Sequence, residues 1–95
     1  MRIVETRKVE DCFDGSAVYA YRFDTPWTER EIRALGALGK LEFFPDFPRP
    51  LFRLLGEGGW QMKGVLGEDV CKAIYPRAGR ESIRQRFEQE YSDPS

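Results

Sequence analysis

Most of this chain alternates between apolar and polar residues, the period of a half-buried strand. Residues 16–23 read Ser-Ala-Val-Tyr-Ala-Tyr-Arg-Phe and place Ala17, Tyr19, Tyr21 and Phe23 on one face. Residues 2–13 carry β-branched Ile3, Val4, Thr6 and Val9 and predict a strand before it. Asp14-Gly15 between the two is a hairpin dipeptide, because a type I′ turn needs positive φ at both central positions. A two-residue turn would set Cys12 opposite Ala17, Glu10 opposite Tyr19 and Lys8 opposite Tyr21, with charges beside the aromatic face. A partly solvated face or a longer loop with a shifted register would each relieve this, and the pattern does not choose between them.

Further strands are predicted at residues 40–44, 51–55, 60–66 and 70–75. The breaks between them are a proline-rich segment (Pro45, Pro48, Pro50), Glu57-Gly58-Gly59 and Gly67-Glu68-Asp69, and Gly64 reads as a bulge. Only two stretches change to a helical period. After Asp24-Thr25-Pro26, Thr28 and Glu31 form a capping box, Trp27 and Ile32 a hydrophobic staple, and Ile32, Leu35 and Leu38 an apolar face. Gly39 would end this helix in a left-handed conformation, and Gly36 inside it suits close packing on a sheet. The second helix is predicted at residues 80–91, with Ile83, Phe87 and Tyr91 as a narrow apolar stripe and residues 92–95 fraying beyond it.

The predicted order is β-β-α-β-β-β-(β)-α, an α+β fold. Its antiparallel sheet of about five or six strands carries both helices on one face. A ferredoxin-like sandwich is the alternative, although it requires the order β-α-β-β-α-β. At 95 residues the chain makes one small domain spanning residues 1–95. Charges interrupt the N-terminal residues before an apolar leader forms, and no apolar run spans a bilayer, so a soluble, cytoplasmic protein is expected.

Composition then narrows the chemistry. The chain contains no histidine, which removes the commonest general base and metal ligand. Two cysteines are too few for a structural zinc site, so no metal and no cofactor is expected. Cys12 follows Asp11, whose carboxylate disfavours a thiolate, and Cys71 lies in a strand, so both read as small apolar residues. The acidic groups at Glu10-Asp11, Glu29/Glu31 and Glu68-Asp69 read as strand, helix-start and turn residues, and Gly56 to Gly59 lacks the spacing of a phosphate loop. No catalytic residue is assigned and no enzyme is expected.

Two groups remain as candidate binding residues. Arg77, Arg80 and Arg84 surround the start of the last helix and form a weak candidate anion site, because interleaved acids nearly balance them. Phe43, Phe44, Phe47 and Phe52 alternate with the prolines. Turned inward they plug the end of a small core; left outside they offer a stiff apolar patch to a partner. The formal charge of −1 gives no strong attraction to nucleic acid and little protection from self-association. The leading expectation is therefore a non-catalytic interaction or accessory domain that forms a homodimer or meets another protein, with no membrane and no nucleic-acid partner. The alternatives are a nucleic-acid module using the C-terminal arginines and a small-anion sensor.

Overall fold

The computed structural model describes residues 1–92. The chain forms strands β1 (Ile3–Asp11) and β2 (Ala17–Phe23), helix α1 (Glu29–Ala34), strands β3 (Lys40–Phe43), β4 (Leu51–Leu55), β5 (Gln61–Val65) and β6 (Val70–Tyr75), and helix α2 (Arg80–Glu90). All neighbouring strands are antiparallel, in the order β1-β2-β6-β5-β4-β3. The fold is thus an α+β domain with a six-stranded sheet and two helices. Among the described residues no helix is long and apolar enough to cross a membrane. Of the fraying expected at residues 92–95, positions 93–95 lie outside the described residues.

Strand alternation decides which face the helices cover. Ala17, Tyr21 and Phe23 of β2, Cys71, Ala73 and Tyr75 of β6, Met62 of β5, and Phe52 and Leu54 of β4 are all buried. They pack in one core with Trp27, Ile32 and Leu35 from the α1 region and Phe87 and Tyr91 from the α2 region. Trp27 is the hub: its ring lies 5.1 Å from Phe23, 4.9 Å from Phe52 and 6.0 Å from Tyr91, all edge-on. Its indole N–H donates to the Val70 carbonyl at 3.1 Å, so the segment leading into α1 is tied to the start of β6. Helix α2 is held by a hydroxyl chain as well as by its rings. Tyr21 donates to a Glu88 carboxylate oxygen at 2.8 Å. Tyr21 has one proton, so in the 2.7 Å bond between the two hydroxyls Tyr75 donates to Tyr21.

The N-cap reading holds: the Thr28 hydroxyl accepts from the Glu31 amide at 3.2 Å, and Trp27 and Ile32 are both buried. One open alternative is decided and two local expectations are corrected. The first hairpin has the longer loop, closed by Cys12 N–H to Ser16 carbonyl at 2.8 Å and by both Ser16 donors on the Asp14 carboxylate. The register shifts accordingly to Asp11↔Ala17, Lys8↔Tyr19 and Thr6↔Tyr21, with an irregularity between Lys8 and Glu10. Lys8 stands opposite Tyr19 but is paired with Asp11 at 2.9 Å. Gly39 does not take positive φ, since α1 ends at Ala34 and a 3-10 turn, Leu35–Ala37, follows. What Gly39 supplies is proximity: a Cβ there would sit 2.5 Å from the Leu55 carbonyl oxygen, whereas one on Gly36 would meet nothing within 4 Å. Gly64 is not a bulge either, because it pairs regularly with Phe52 and Cys71. Its missing side chain makes room for the Phe52 ring, whose Cζ would lie 2.7 Å from a Cβ.

Candidate functional site

The structure separates the residues singled out from the sequence. Phe52 is 0% exposed and Phe43 half-buried against the core, while Phe44 and Phe47 are 36% and 51% exposed. The two outer rings stack on one another at 5.0 Å, which shields one face of each. The proline-rich segment thus divides between core plug and surface. Arg77, Arg80 and Arg84 are engaged within the chain. Arg84 bonds Glu81 at 2.9 Å and Glu88 at 3.4 Å and lies 5.2 Å over the Tyr19 ring. Arg80 lies 3.9 Å from Asp11, and the Arg77 stem lies against Gly15. The Arg84 hydrogen bond holds the Glu81 carboxyl below its ordinary range. These arginines brace α2 against the first hairpin.

The uncovered face of the sheet carries the stronger arrangement. Pairing aligns one residue from each strand in a single transverse row: Glu42↔Arg53 between β3 and β4, Arg53↔Lys63, Lys63↔Lys72, Lys72↔Ala20, and Ala20↔Arg7 at β1. Three cations, Arg53, Lys63 and Lys72, are therefore direct cross-strand neighbours. Like charges placed so are destabilising by several tenths of a kcal/mol, roughly 0.2–1, for each pair. The row forms the floor of an open hollow of about 920 Å³. Six basic and two acidic residues line that hollow, a local excess of four positive charges in a chain whose total is −1.

Carboxylates occupy the rim of the hollow and not its centre. Glu42 takes Arg53 at 2.6 Å, Glu5 takes Arg22 at 3.3 Å, and Glu68 takes Arg49 at 2.6 Å. The side chains of Lys63, Lys72 and Arg7 have no ion pair or hydrogen bond among the described residues. Lys63 and Lys72 stand opposite each other, with Cβ atoms of such a pair about 5 Å apart, so both ammonium groups reach a single anion.

Cys71 is buried in the core and desolvation pushes its thiol well up, which leaves it unreactive near neutral pH. Among the described residues no three Cys, Asp or Glu side chains converge where a metal would bind. A second crevice, of about 180 Å³ between Leu38, Trp60 and Ile83, is far smaller. Compared with protein-family models, with curated proteins and with solved structures, the chain matches none.

Proposed function

We propose that this chain is a non-catalytic binding domain whose helix-free sheet face holds a small anionic ligand. One observation carries the reading: Lys63 and Lys72 are aligned side by side, without carboxylate partners, in the floor of a hollow. An anion between them removes their mutual repulsion and gains two charge-assisted hydrogen bonds. The hollow matches small-molecule sites in volume, which run to about 1,000 Å³. Titration with inorganic phosphate and pyrophosphate, followed by amide chemical shifts in low-salt buffer, tests this. Saturable shifts centred on Lys63 and Lys72, lost in Lys63→Gln/Lys72→Gln, are expected. Shifts that are absent, or that survive in the double variant, overturn it.

The exposed Phe44–Phe47 stack favours a second reading, a contact between copies of this chain at the β3 edge. Two-fold pairing through the open face itself would oppose two cationic surfaces, so the contact would lie at the edge. Sedimentation equilibrium of wild type and Phe47→Ala tests it: a dimer weakened about tenfold supports the contact. A wild type that stays monomeric at high concentration refutes it.

A further inference from the structure

The hollow holds more than charge. Two residues along the strands from the lysines, and so on the same face, lie Val65 of β5 and Val70 of β6, and Leu51 of β4 stands directly opposite Val65. Leu51 and Val70 are 36% and 40% exposed on a sheet face that no helix covers. Phe44 lines the same hollow beside them. The apolar floor begins one two-residue step, about 7 Å, from the lysine pair. Its sides are formed by the Arg22–Glu5 and Arg49–Glu68 ion pairs, whose charges are already matched.

From this we infer that the ligand is an amphiphile with a single anionic head group. A single carboxylate, phosphate or sulfate head sits between Lys63 and Lys72, and an alkyl or aryl body lies over Val70, Val65 and Leu51 towards Phe44. This rests on the anion-binding reading above and adds the apolar half of the ligand. One head group is favoured because the remaining arginines of the face, apart from Arg7, already hold carboxylates. Arg7 stands two strands from Lys72, about 10 Å away, with Ala20 between them. That gap exceeds the span of one phosphate, and a continuous polyanion would cross an uncharged step there. Nucleic acid would also want stacking aromatics along the floor, where Phe44 is the single ring exposed in the hollow. A concave floor suits a free amphiphile, whereas a bilayer surface is met by protruding residues.

Calorimetric titration of the full chain with inorganic phosphate, butyl phosphate, octyl phosphate and octyl glucoside, each below its micelle concentration, tests the inference. Half-burying each methylene is worth about twofold in affinity, so octyl phosphate should bind roughly tenfold or more tighter than butyl phosphate. Lys63→Gln/Lys72→Gln should lose octyl phosphate. Val70→Thr and Leu51→Thr, which keep β-branching or exposure suited to a strand, should flatten the chain-length dependence and leave inorganic phosphate binding intact. Thermal melts confirm that each variant is folded, and either apolar variant alone suffices. If phosphate binds and chain length has no effect, the amphipathic inference falls and the anion reading stands. If octyl glucoside binds as tightly as octyl phosphate, the amphipathic inference falls, and if no phosphate binds, both fall. Salt-sensitive micromolar binding of a single-stranded oligonucleotide that displaces octyl phosphate would overturn the assignment of a single head group. Co-sedimentation with anionic vesicles, without binding of monomeric octyl phosphate, would move the ligand to a membrane surface and overturn it too.

Discussion

Replacing Lys63 with threonine should make the protein more stable while weakening the proposed anion binding. Lys63 stands between Arg53 on one side and Lys72 on the other, each directly opposite across the ladder. The charged ends are free to splay, and at roughly 7 Å in water two unit charges repel by about 0.6 kcal/mol. Measured cross-strand like-charge pairs fall in the same range, roughly 0.2–1 kcal/mol. Glu42 holds Arg53 at 2.6 Å and offsets part of one contact, so Lys63→Thr should gain about 0.5–1 kcal/mol at low ionic strength. Threonine also suits a strand better than lysine, a gain that salt leaves unchanged. Urea unfolding in phosphate-free buffer, at roughly 20 mM and about 1 M sodium chloride, separates the two, because the screening length shrinks to about 3 Å in the latter. The repulsive part of the gain should vanish in high salt, leaving the propensity part, and the wild type should itself be stabilised by salt. Lys40→Thr is the control: Lys40 faces Leu55 and has no cation opposite it, so its effect should not depend on salt. A Lys63→Thr protein that is less stable at both salt concentrations, or whose gain is as large at high salt as at low salt, refutes the argument that the row stores repulsion.

The hydroxyl chain predicts a graded pair of substitutions: Tyr21→Phe strands both the Tyr75 donor and the Glu88 acceptor and should lose about 1–3 kcal/mol in urea unfolding, whereas Tyr75→Phe removes one bond and should lose less. Burial pushes the Tyr21, Tyr75 and Tyr91 hydroxyls upward. A raised native pKa means that the unfolded chain gives up these protons first. Stability should therefore be fully present below the ordinary tyrosine value of about 10 and fall as pH rises above it. Unfolding curves taken between roughly pH 8 and pH 11 should show this, and tyrosinate absorbance from the three should rise only with unfolding. For the two glycines near α1, Gly39→Ala should lose about 1–3 kcal/mol through the clash with the Leu55 carbonyl. Gly36→Ala, in open space and with φ outside the positive range, should gain about 0.4–1 kcal/mol, both read by thermal or urea unfolding.

Local chemistry made most of the fold legible. The bounds of β4 and β6 coincide with residues 51–55 and 70–75 because apolar alternation ends there against proline and glycine turns. The start of α1 is equally local: Thr28 finds the Glu31 amide two residues after a proline, and no long-range contact is needed for that choice. Glycine roles were less legible, since Gly39 and Gly64 answer to Leu55 and Phe52, partners distant in sequence that only the assembled sheet brings near. Neither glycine has a turn or a positive φ that would mark it locally. The position of the β1–β2 hairpin beside β6 was likewise invisible, because the pairing of Tyr21 with Cys71 depends on the two aromatic faces sharing one core.

The basic row shows why a site can be spelled out in a sequence and still be missed there. Arg53, Lys63 and Lys72 are ordinary polar residues at the solvent-facing positions of three strands, and each alone signals only exposure. They become a constellation through register. Extending β5 to Leu66, as the sequence suggests, would set Leu66 opposite Val70 and Lys63 opposite Ala73. One residue of slip would thus send the lysine to the wrong face of the ladder. The observed strand instead ends at Val65, and the Glu68 amide bonds back to the Val65 carbonyl at 3.1 Å, which makes Leu66–Asp69 a four-residue connection. With that turn length Lys63 and Lys72 meet. Terminal strand positions are the least determined feature of an alternating pattern, since a leucine fits a strand end or a turn equally well. A charge row across several strands inherits that uncertainty at each hairpin. The C-terminal arginines drew attention because helical spacing needs no register, yet their neighbours Glu81 and Glu88 already pair with Arg84. Clustering in sequence thus marked a brace between helix and hairpin, and alignment across the sheet produced the unpaired charge.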